Sequence, residues 1–306
     1  MKSKLHLALF CLLSAPGVLF SQSNSLEKEV VDTVIEGIET IAVTVINSAF
    51  TPMTDYEKGD LMFTASPGFF NIRKVYNNPE IRGDKLFGYT FGAGAGYALT
   101  DRLMAYGIFS GLLIDGSLEA DFYGTAGDPA GADTNYQYYS LFSGMGYEVV
   151  SREFLSLPVY LGLNTGYYSL SLDPDSLVVS GFGSPVTTTV RTEGSGFLSG
   201  LSGGVAARFK YKGFSLAPYY LYMVNFNGTT VRSDITVDAG GLPLRSSVSH
   251  KIDPYMGGTF GFSAAYKTRK GWSFNLSLKN LFPWFTSDRD DAFDMTSAVF
   301  TVGYTG

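Results

Sequence analysis

The chain has 306 residues, a single cysteine and a formal net charge of −6 at pH 7, which suits one or two soluble domains or one membrane-embedded unit and argues against a nucleic-acid partner. Only 16% of the residues are charged, whereas Gly (36), Phe (24) and Tyr (20) are abundant. Glycine weakens the strands of a soluble sheet because it brings no side chain to pack, so a soluble β-sandwich is a poor fit to this mix.

The first segment, residues 1–23, reads as a secretory signal. Lys2 and Lys4 form a basic start, Leu5–Phe20 is an apolar run broken only by His6, Ser14, Pro16 and Gly17, and the small residues Ser21 and Ser23 follow. The run is short for a spanning helix. Cys11 lies inside it behind Phe10, which does not fit a lipid-modified cysteine. Cleavage would leave a chain with no cysteine, hence neither disulfide nor thiol nucleophile, and a net charge of about −8.

Residues 24–52 form a second segment. Val30, Val31, Val34, Ile35, Ile38, Ile41, Ala42, Val45 and Ile46 recur at helical spacing, with Glu27, Lys28, Glu29, Asp32, Glu36 and Glu39 on the other side. Asn24 or Ser25 can cap the start, early acids suit the helix dipole, and Pro52 stops it. The β-branched stretch Thr40–Ile46 admits a strand as the alternative. The spacing favours one amphipathic helix.

From residue 53 to 306 the period changes to two, which places alternate residues on opposite faces of a sheet. Leu61, Phe63 and Ala65 alternate, and Pro67-Gly68 is expected to shift the phase to Phe70 and Ile72 through a bulge. In the clearest run Phe87, Tyr89, Phe91, Ala93, Ala95, Tyr97 and Leu99 share one face while Gly88, Thr90, Gly92, Gly94 and Gly96 share the other. Similar apolar faces follow at Met104, Tyr106, Ile108, Leu112 and Ile114, at Tyr139–Val149, Val159–Tyr167, Phe197–Tyr211 and Phe214–Phe226, and at Met256–Tyr266, Trp272–Leu278 and Phe300–Tyr304. The count is about ten strands. Short connections (Thr100-Asp101-Arg102, Ser151–Ser156, Lys212-Gly213, Thr268–Gly271) alternate with long ones (Val75–Lys85, Ser117–Gln137, Asp173–Glu193, Asn227–Lys251, Pro283–Ala292). Aromatics gather beside the short turns at Tyr97, Tyr106, Tyr147, Phe209, Tyr211, Phe214, Tyr266, Trp272 and Tyr304, as amphipathic rings do at a membrane–water boundary.

On these strands and turns the chain resembles the broad class of small bacterial outer-membrane β-barrels, over about residues 60–306. The resemblance implies an all-β, antiparallel transmembrane barrel in the cell outer membrane, with short periplasmic turns and long external loops. It implies contact with outer-membrane lipid and with the barrel assembly machinery, which in that class recognises a terminal aromatic. Here Tyr304 is aromatic and in phase, followed by Thr305 and Gly306.

In such a barrel the second face lines the lumen. The candidate lumen-lining residues are Gly92, Gly94, Phe109, Phe142, Tyr160, Tyr168, Arg208, Tyr219, Tyr255 and Lys279. Glu148, Lys210 and Lys267 are also expected to point inward, pairing near the short-turn end or tuning ion passage. The amphipathic segment Leu26–Phe50 either enters and plugs this lumen, or is a periplasmic helix that lies at the barrel mouth or binds a partner. His250, with Ser247, Ser249 and Asp253 nearby, is the one trace of hydrolase chemistry, and reads as a solvated loop histidine. The acid clusters Asp173–Asp175 and Asp288, Asp290, Asp291 lack calcium-loop spacing, and Gly92–Gly96 lies within a strand rather than before a helix, so no phosphate cradle is read. No cofactor, metal site or catalytic set is expected. The sequence points to a narrow porin-like or small-solute-binding barrel, with an adhesive or structural surface protein as the alternative and a membrane-embedded hydrolase last.

Overall fold

The computed structural model describes residues 55–75, 78–82, 87–120, 130–174, 177–181, 184–239, 243–252, 256–279 and 293–306. The signal-like segment, the segment 24–52 expected as a helix, and Tyr255 lie outside the described residues. In chain order the strands are β1 (Leu61–Val75), β2 (Asn78–Arg82), β3 (Phe87–Thr100), β4 (Leu103–Ala120), β5 (Ala130–Ser151), β6 (Leu155–Pro174), β7 (Leu177–Gly181) and β8 (Ser184–Ala206). They continue with β9 (Arg208–Tyr211), β10 (Phe214–Asn225), β11 (Thr229–Ala239), β12 (Pro243–Ile252), β13 (Met256–Lys267), β14 (Trp272–Lys279) and β15 (Phe293–Thr305).

Ten staves close into an all-β, antiparallel barrel in the order β1, β3, β4, β5, β6, β8 with β9, β10, β13, β14, β15 and back to β1. β8 and β9 are one stave, because Val205 faces Tyr220 and Phe209 faces Leu216 without a slip. The assignment breaks only where Ala207 donates its N–H to the Pro218 carbonyl (3.0 Å), since proline has no N–H to return. At the seam, Leu61 and Gly306 exchange backbone hydrogen bonds of 2.9 and 3.0 Å.

The stagger of this closure follows from the pairing. One row of partners runs from Leu170 through Tyr136, Ile114, Gly88, Phe70, Ser297, Lys279, Gly261 and Tyr219 to Ala206. It re-enters β6 at Pro158, between the Val159–Val205 and Ser156–Arg208 pairs, so it returns twelve residues below its start. A shear of twelve for ten staves tilts the strands by about 40° and leaves an interior that side chains can fill.

The short turns are built from residues suited to them. Lys212 (φ 46°) and Gly213 (φ 85°) both sit in the left-handed region, the geometry of a two-residue turn whose twist matches the flanking strands. Thr100 Oγ1 accepts the N–H groups of Arg102 (3.2 Å) and Leu103 (3.0 Å) in the β3–β4 turn.

Three details differ from the sequence expectation. Pro67-Gly68 causes no change of phase: β1 pairs with β3 in one register from Leu61–Tyr97 to Asn71–Phe87, and Phe69 points outward. The irregularity in β1 lies later, between Ile72 and Val75. Second, the faces of β4 are reversed. Met104, Tyr106, Leu112 and Ile114 are buried inside, whereas Phe109 is 45% exposed on the outside. Both alternating sets of β4 are apolar, so bulk does not separate them. Ser110 does, because it belongs to the inner set and bonds Ser140 across the pair (2.6 Å). Third, much of the expected long loops is strand: β5, β6 and β8 have 22, 20 and 23 residues, and β11–β12 forms a hairpin beside β8. The β-branched run Val186–Val190 and Val231, Ile235 and Val237 favour that extended backbone.

The outer face carries a belt of exposed apolar side chains. On β5 it runs from Val149 up to Tyr139, about 25 Å along the barrel axis at this tilt, and then turns polar at Gln137, Asn135 and Asp133. Its upper rim is aromatic and in register, Tyr139 opposite Tyr167 and Tyr167 opposite Phe197, whose rings lie 5.2 Å apart. Phe109 belongs to this rim, stacked on Tyr139 at 6.5 Å. The lower rim holds Tyr97, Tyr147, Phe209, Tyr211, Phe214, Tyr266, Trp272 and Tyr304, with Phe214–Tyr266 (4.6 Å) and Trp272–Tyr304 (5.2 Å) in contact. Tyr106, assigned to that rim from sequence, is instead buried inside.

Candidate functional site in the lumen

The interior is divided lengthwise. Staves β4, β5, β6, β8 and β10 turn in large side chains, among them Met104, Tyr106, Leu112, Tyr136, Tyr138, Phe142, Tyr160, Tyr168, Leu198 and Met223. Staves β13, β14, β15, β1 and β3 answer, apart from Asn275, Lys279 and Val299, with small or hydroxylic ones: Thr259, Ser263, Ser273, Ser277, Ser297, Thr301, Ser66 and Thr90, with Gly92 and Gly94 half-buried in the same phase. Large groups from one half therefore fill space left by the other. Tyr219 spans the boundary: its ring crosses the space where a Gly261 side chain would stand, and its hydroxyl meets Ser277 Oγ at 2.6 Å, two staves away. Ser66 Oγ and Thr301 Oγ1 bond at 2.9 Å on the hydroxylic side.

The short-turn end is crowded with packed side chains. Ahead of β1 the chain bends through Glu57–Asp60, where Glu57 N–H bonds Asp60 Oδ2 (2.9 Å) and Lys58 N–H bonds Asp101 Oδ1 (2.9 Å). The bend turns Tyr56 into the lumen, where it packs in one cluster with Ala98, Met104, Tyr106, Phe142, Tyr160, Ala206, Tyr219 and Leu221. Asp55 is held beside it. Arg208, 2% exposed, reaches Glu148 (4% exposed) at 2.5 Å, Asp55 at 3.0 Å and, through Nε, Ser156 Oγ at 2.8 Å. Lys210 Nζ lies 3.3 Å from Asp55 Oδ1, and Lys267 Nζ donates to the Asp55 carbonyl. Burial, and then the Glu148 charge, push the Tyr56 hydroxyl up to about 12 against a smaller opposing effect of Arg208.

Of the candidate lumen residues, Phe142, Tyr160 and Tyr219 come together in this floor, with Arg208 in the ionic cluster beneath. Tyr168 sits higher, stacked near Tyr136 at 6.5 Å, and Lys279 is buried on β14 in the row of Ser297 and Gly261. Phe109 is corrected to the outer surface, for the reason given for β4. Sequence reasoning missed Asp55 and Tyr56, which belong to no periodic run, and also the inward polar residues Ser66, Ser110, Ser140, Asn164, Ser202 and Asn225. Asn164 and Asn225 could have been found, since each interrupts an apolar strand in the inward phase.

Above the belt, Ser247 pairs with Asp234 in the β11–β12 hairpin, donating to its carboxylate, and Arg232 Nε bonds both Asp234 Oδ1 (3.0 Å) and Ser247 Oγ (2.9 Å). The Ser247 hydrogen bond first, then Arg232, hold the Asp234 carboxyl below its ordinary value. His250 lies opposite Val231, three positions from Ser247, an odd spacing that does not bring two strand positions onto one face. Among the described residues no three His, Cys, Asp or Glu side chains gather as a metal site.

A closed antiparallel barrel with an even stave number, an outward apolar belt and two aromatic rims is the architecture that crosses a bacterial outer membrane. The chain is an outer-membrane β-barrel. No protein-family model matches it, and no curated protein matches it in sequence. Solved structures similar to this barrel include the outer membrane protease OmpT from Escherichia coli (10% identity, 83% of this chain and 99% of that one, TM-score 0.44). An outer membrane channel from Pseudomonas putida F1 is similar at 13% identity, 84% and 100% coverage and TM-score 0.40. The attachment invasion locus protein Ail of Yersinia pestis is similar at 13% identity, 81% and 99% coverage and TM-score 0.30.

Proposed function

We propose that this barrel is a narrow, stoppered conduit for small solutes between the exterior and the periplasm. The observation that carries the reading is the floor: Tyr56 is seated in the lumen beside Asp55, a residue outside the strands that three wall cations, Arg208, Lys210 and Lys267, hold. A structural plug of that kind needs no ionic latch, because apolar packing alone would hold it. A latch on a segment outside the staves can be released without opening the barrel wall. The lumen above it offers an aromatic half and a hydroxylic half, which suits solutes with one apolar and one polar side. Outer-membrane lipid around the belt and the barrel assembly machinery complete the proposed partners.

The test is liposome swelling and planar-bilayer conductance with the full chain and the Asp55→Ala/Tyr56→Ala variant. The wild type is expected to pass small solutes slowly and the variant several-fold faster. Equal rates would remove the stopper, and no passage through either protein would remove the conduit.

A second reading rests on a separate observation. β8 has 23 residues where about ten cross a membrane, so a polar wall of β5, β6, β8, β11 and β12 stands outside the belt. That wall suits an adhesive or partner-binding surface. Deleting the β11–β12 hairpin would abolish binding to host or matrix molecules and leave swelling unchanged.

A further inference from the structure

We propose that the turns joining β9 to β10 and β13 to β14 form a docking surface for the headgroup of an anionic phospholipid in the periplasm-facing leaflet. The inference goes beyond the conduit reading: it needs the barrel's place in the membrane and nothing of what the lumen passes.

The two turns are neighbours, and both are fixed. Lys267 donates its N–H to the Gly213 carbonyl at 2.8 Å, which stitches one turn to the other. Thr268 closes the second turn: its N–H donates to the Trp272 carbonyl at 2.7 Å, and its Oγ1 accepts the Trp272 N–H at 3.1 Å. Together the turns carry Lys210, Lys212, Lys267, Arg269 and Lys270, and neither contains Asp or Glu. The other short connections mix the signs, Asp101 beside Arg102 and Arg152 beside Glu153. In a chain of net charge −6 this basic arc is a local reversal. Lys210 and Lys267 turn inward to Asp55, whereas Lys212, Arg269 and Lys270 are exposed.

What these cations face decides the partner. Lys212 Nζ lies 5.1 Å from the centre of the Tyr211 ring, and Tyr211 is 69% exposed on the outer face, so this charge is turned toward lipid rather than toward the barrel mouth. Phe214, Tyr266 and Trp272 stand beside it in the lower aromatic rim. Amphipathic rings mark the level of the headgroups, and cations at that level meet phosphates. Arg269 can take two phosphate oxygens at once, while the lysines act as point charges. A zwitterionic headgroup brings its own ammonium, which the arc repels, so the lipid selected is one with a net negative headgroup, such as phosphatidylglycerol. Next to the rim, Ala264 is paired between Leu216 and Leu276 and is the smallest side chain of that row, which lets an acyl chain lie closer to the wall.

The experiment reconstitutes the full chain, with Trp284→Phe so that Trp272 is its one tryptophan, in phosphatidylethanolamine vesicles holding a minor share of phosphatidylglycerol. Each lipid in turn carries bromine on its acyl chains close to the headgroup, and quenching of Trp272 reports which one occupies the rim. Phosphatidylglycerol is expected to be preferred about tenfold. Lys212→Gln/Arg269→Gln/Lys270→Gln should bring that preference close to unity, and Lys212→Arg/Lys270→Arg should keep it. Arg102→Gln/Arg152→Gln, which neutralises cations of the mixed turns, should leave it unchanged. Heat-modifiable gel migration confirms that the variants are assembled. If the triple variant does not assemble, Arg269→Gln alone should lower the preference several-fold. Equal quenching by the two lipids in the parent, a preference that survives the triple replacement, or one lost equally in the Arg102→Gln/Arg152→Gln variant overturns the site. A preference that emerges only when residues 24–50 are deleted overturns it too, since the acids of Glu27–Glu39 would then hold the arc in the intact chain. Swelling of the same vesicles separates this from the conduit reading: lipid preference without solute passage keeps the site and removes the conduit, and passage without preference does the reverse.

Discussion

Arg208 is the residue on which the floor turns. Its guanidinium is buried, and its donors reach Glu148, Asp55 and Ser156, so a charge that would be costly in a dry interior is matched on several sides. Removing it leaves the Glu148 carboxylate buried without a counter-charge. Arg208→Met is therefore expected to destabilise the barrel by roughly 3–5 kcal/mol, and Arg208→Met/Glu148→Leu to recover most of that loss. Urea unfolding in lipid vesicles measures both. A double variant as unstable as the single one would mean that the pair serves another purpose. The inward direction of Arg208 and Glu148 was legible from alternation. Their partner Asp55 was not, because it precedes the first strand and joins them only through tertiary folding.

At the scale of elements, stave-to-stave fit depends on which neighbour leaves room. Tyr219 on β10 passes over Gly261 on β13 to Ser277 on β14, tying three staves together through one side chain. Gly261→Val would put methyl groups where the ring lies. The expected cost is about 1–3 kcal/mol from overpacking, relieved when Tyr219→Ala is added. The readout is the temperature at which the folded gel band disappears, and absence of relief in the double variant would contradict the fit. Such pairings also explain where sequence reading succeeded. Strand existence, the short turns and the closed ten-stave count were visible, because the Phe87–Leu99 run and the Lys212-Gly213 turn carry their own geometry. β4 was read inside out because Met104, Tyr106 and Ile108 are as apolar as Leu103, Phe109 and Leu113. Only Ser110, bonded to Ser140 inside, breaks the tie. The outer ends of β5, β6 and β8 were read as loops, since above the belt no lipid demands alternation.

For the whole molecule, the question is how a closed barrel opens without losing its wall. Among the described residues, the latch and Tyr56 are tied to the staves by side chains and the turn at Glu57–Asp60 and belong to no ladder, so the stopper can leave while every ladder stays intact. Alkaline pH is one way to drive it. The seated Tyr56 hydroxyl has its pKa raised from about 10 to about 12, chiefly by burial, so the lumen holds the neutral ring and resists its phenolate. A group whose pKa is higher in the seated state contributes its full stabilisation below pH 10 and loses it as pH climbs to about 12. Conductance through the wild type should therefore rise across that window. The wild type alone does not isolate the ring. Tyr56→Phe does. It keeps the ring and removes the ionisation, and should need a higher pH to reach the same conductance. Superimposable pH curves for the two proteins would show that ionisation of the ring does not govern release and that the tyrosine is only filler.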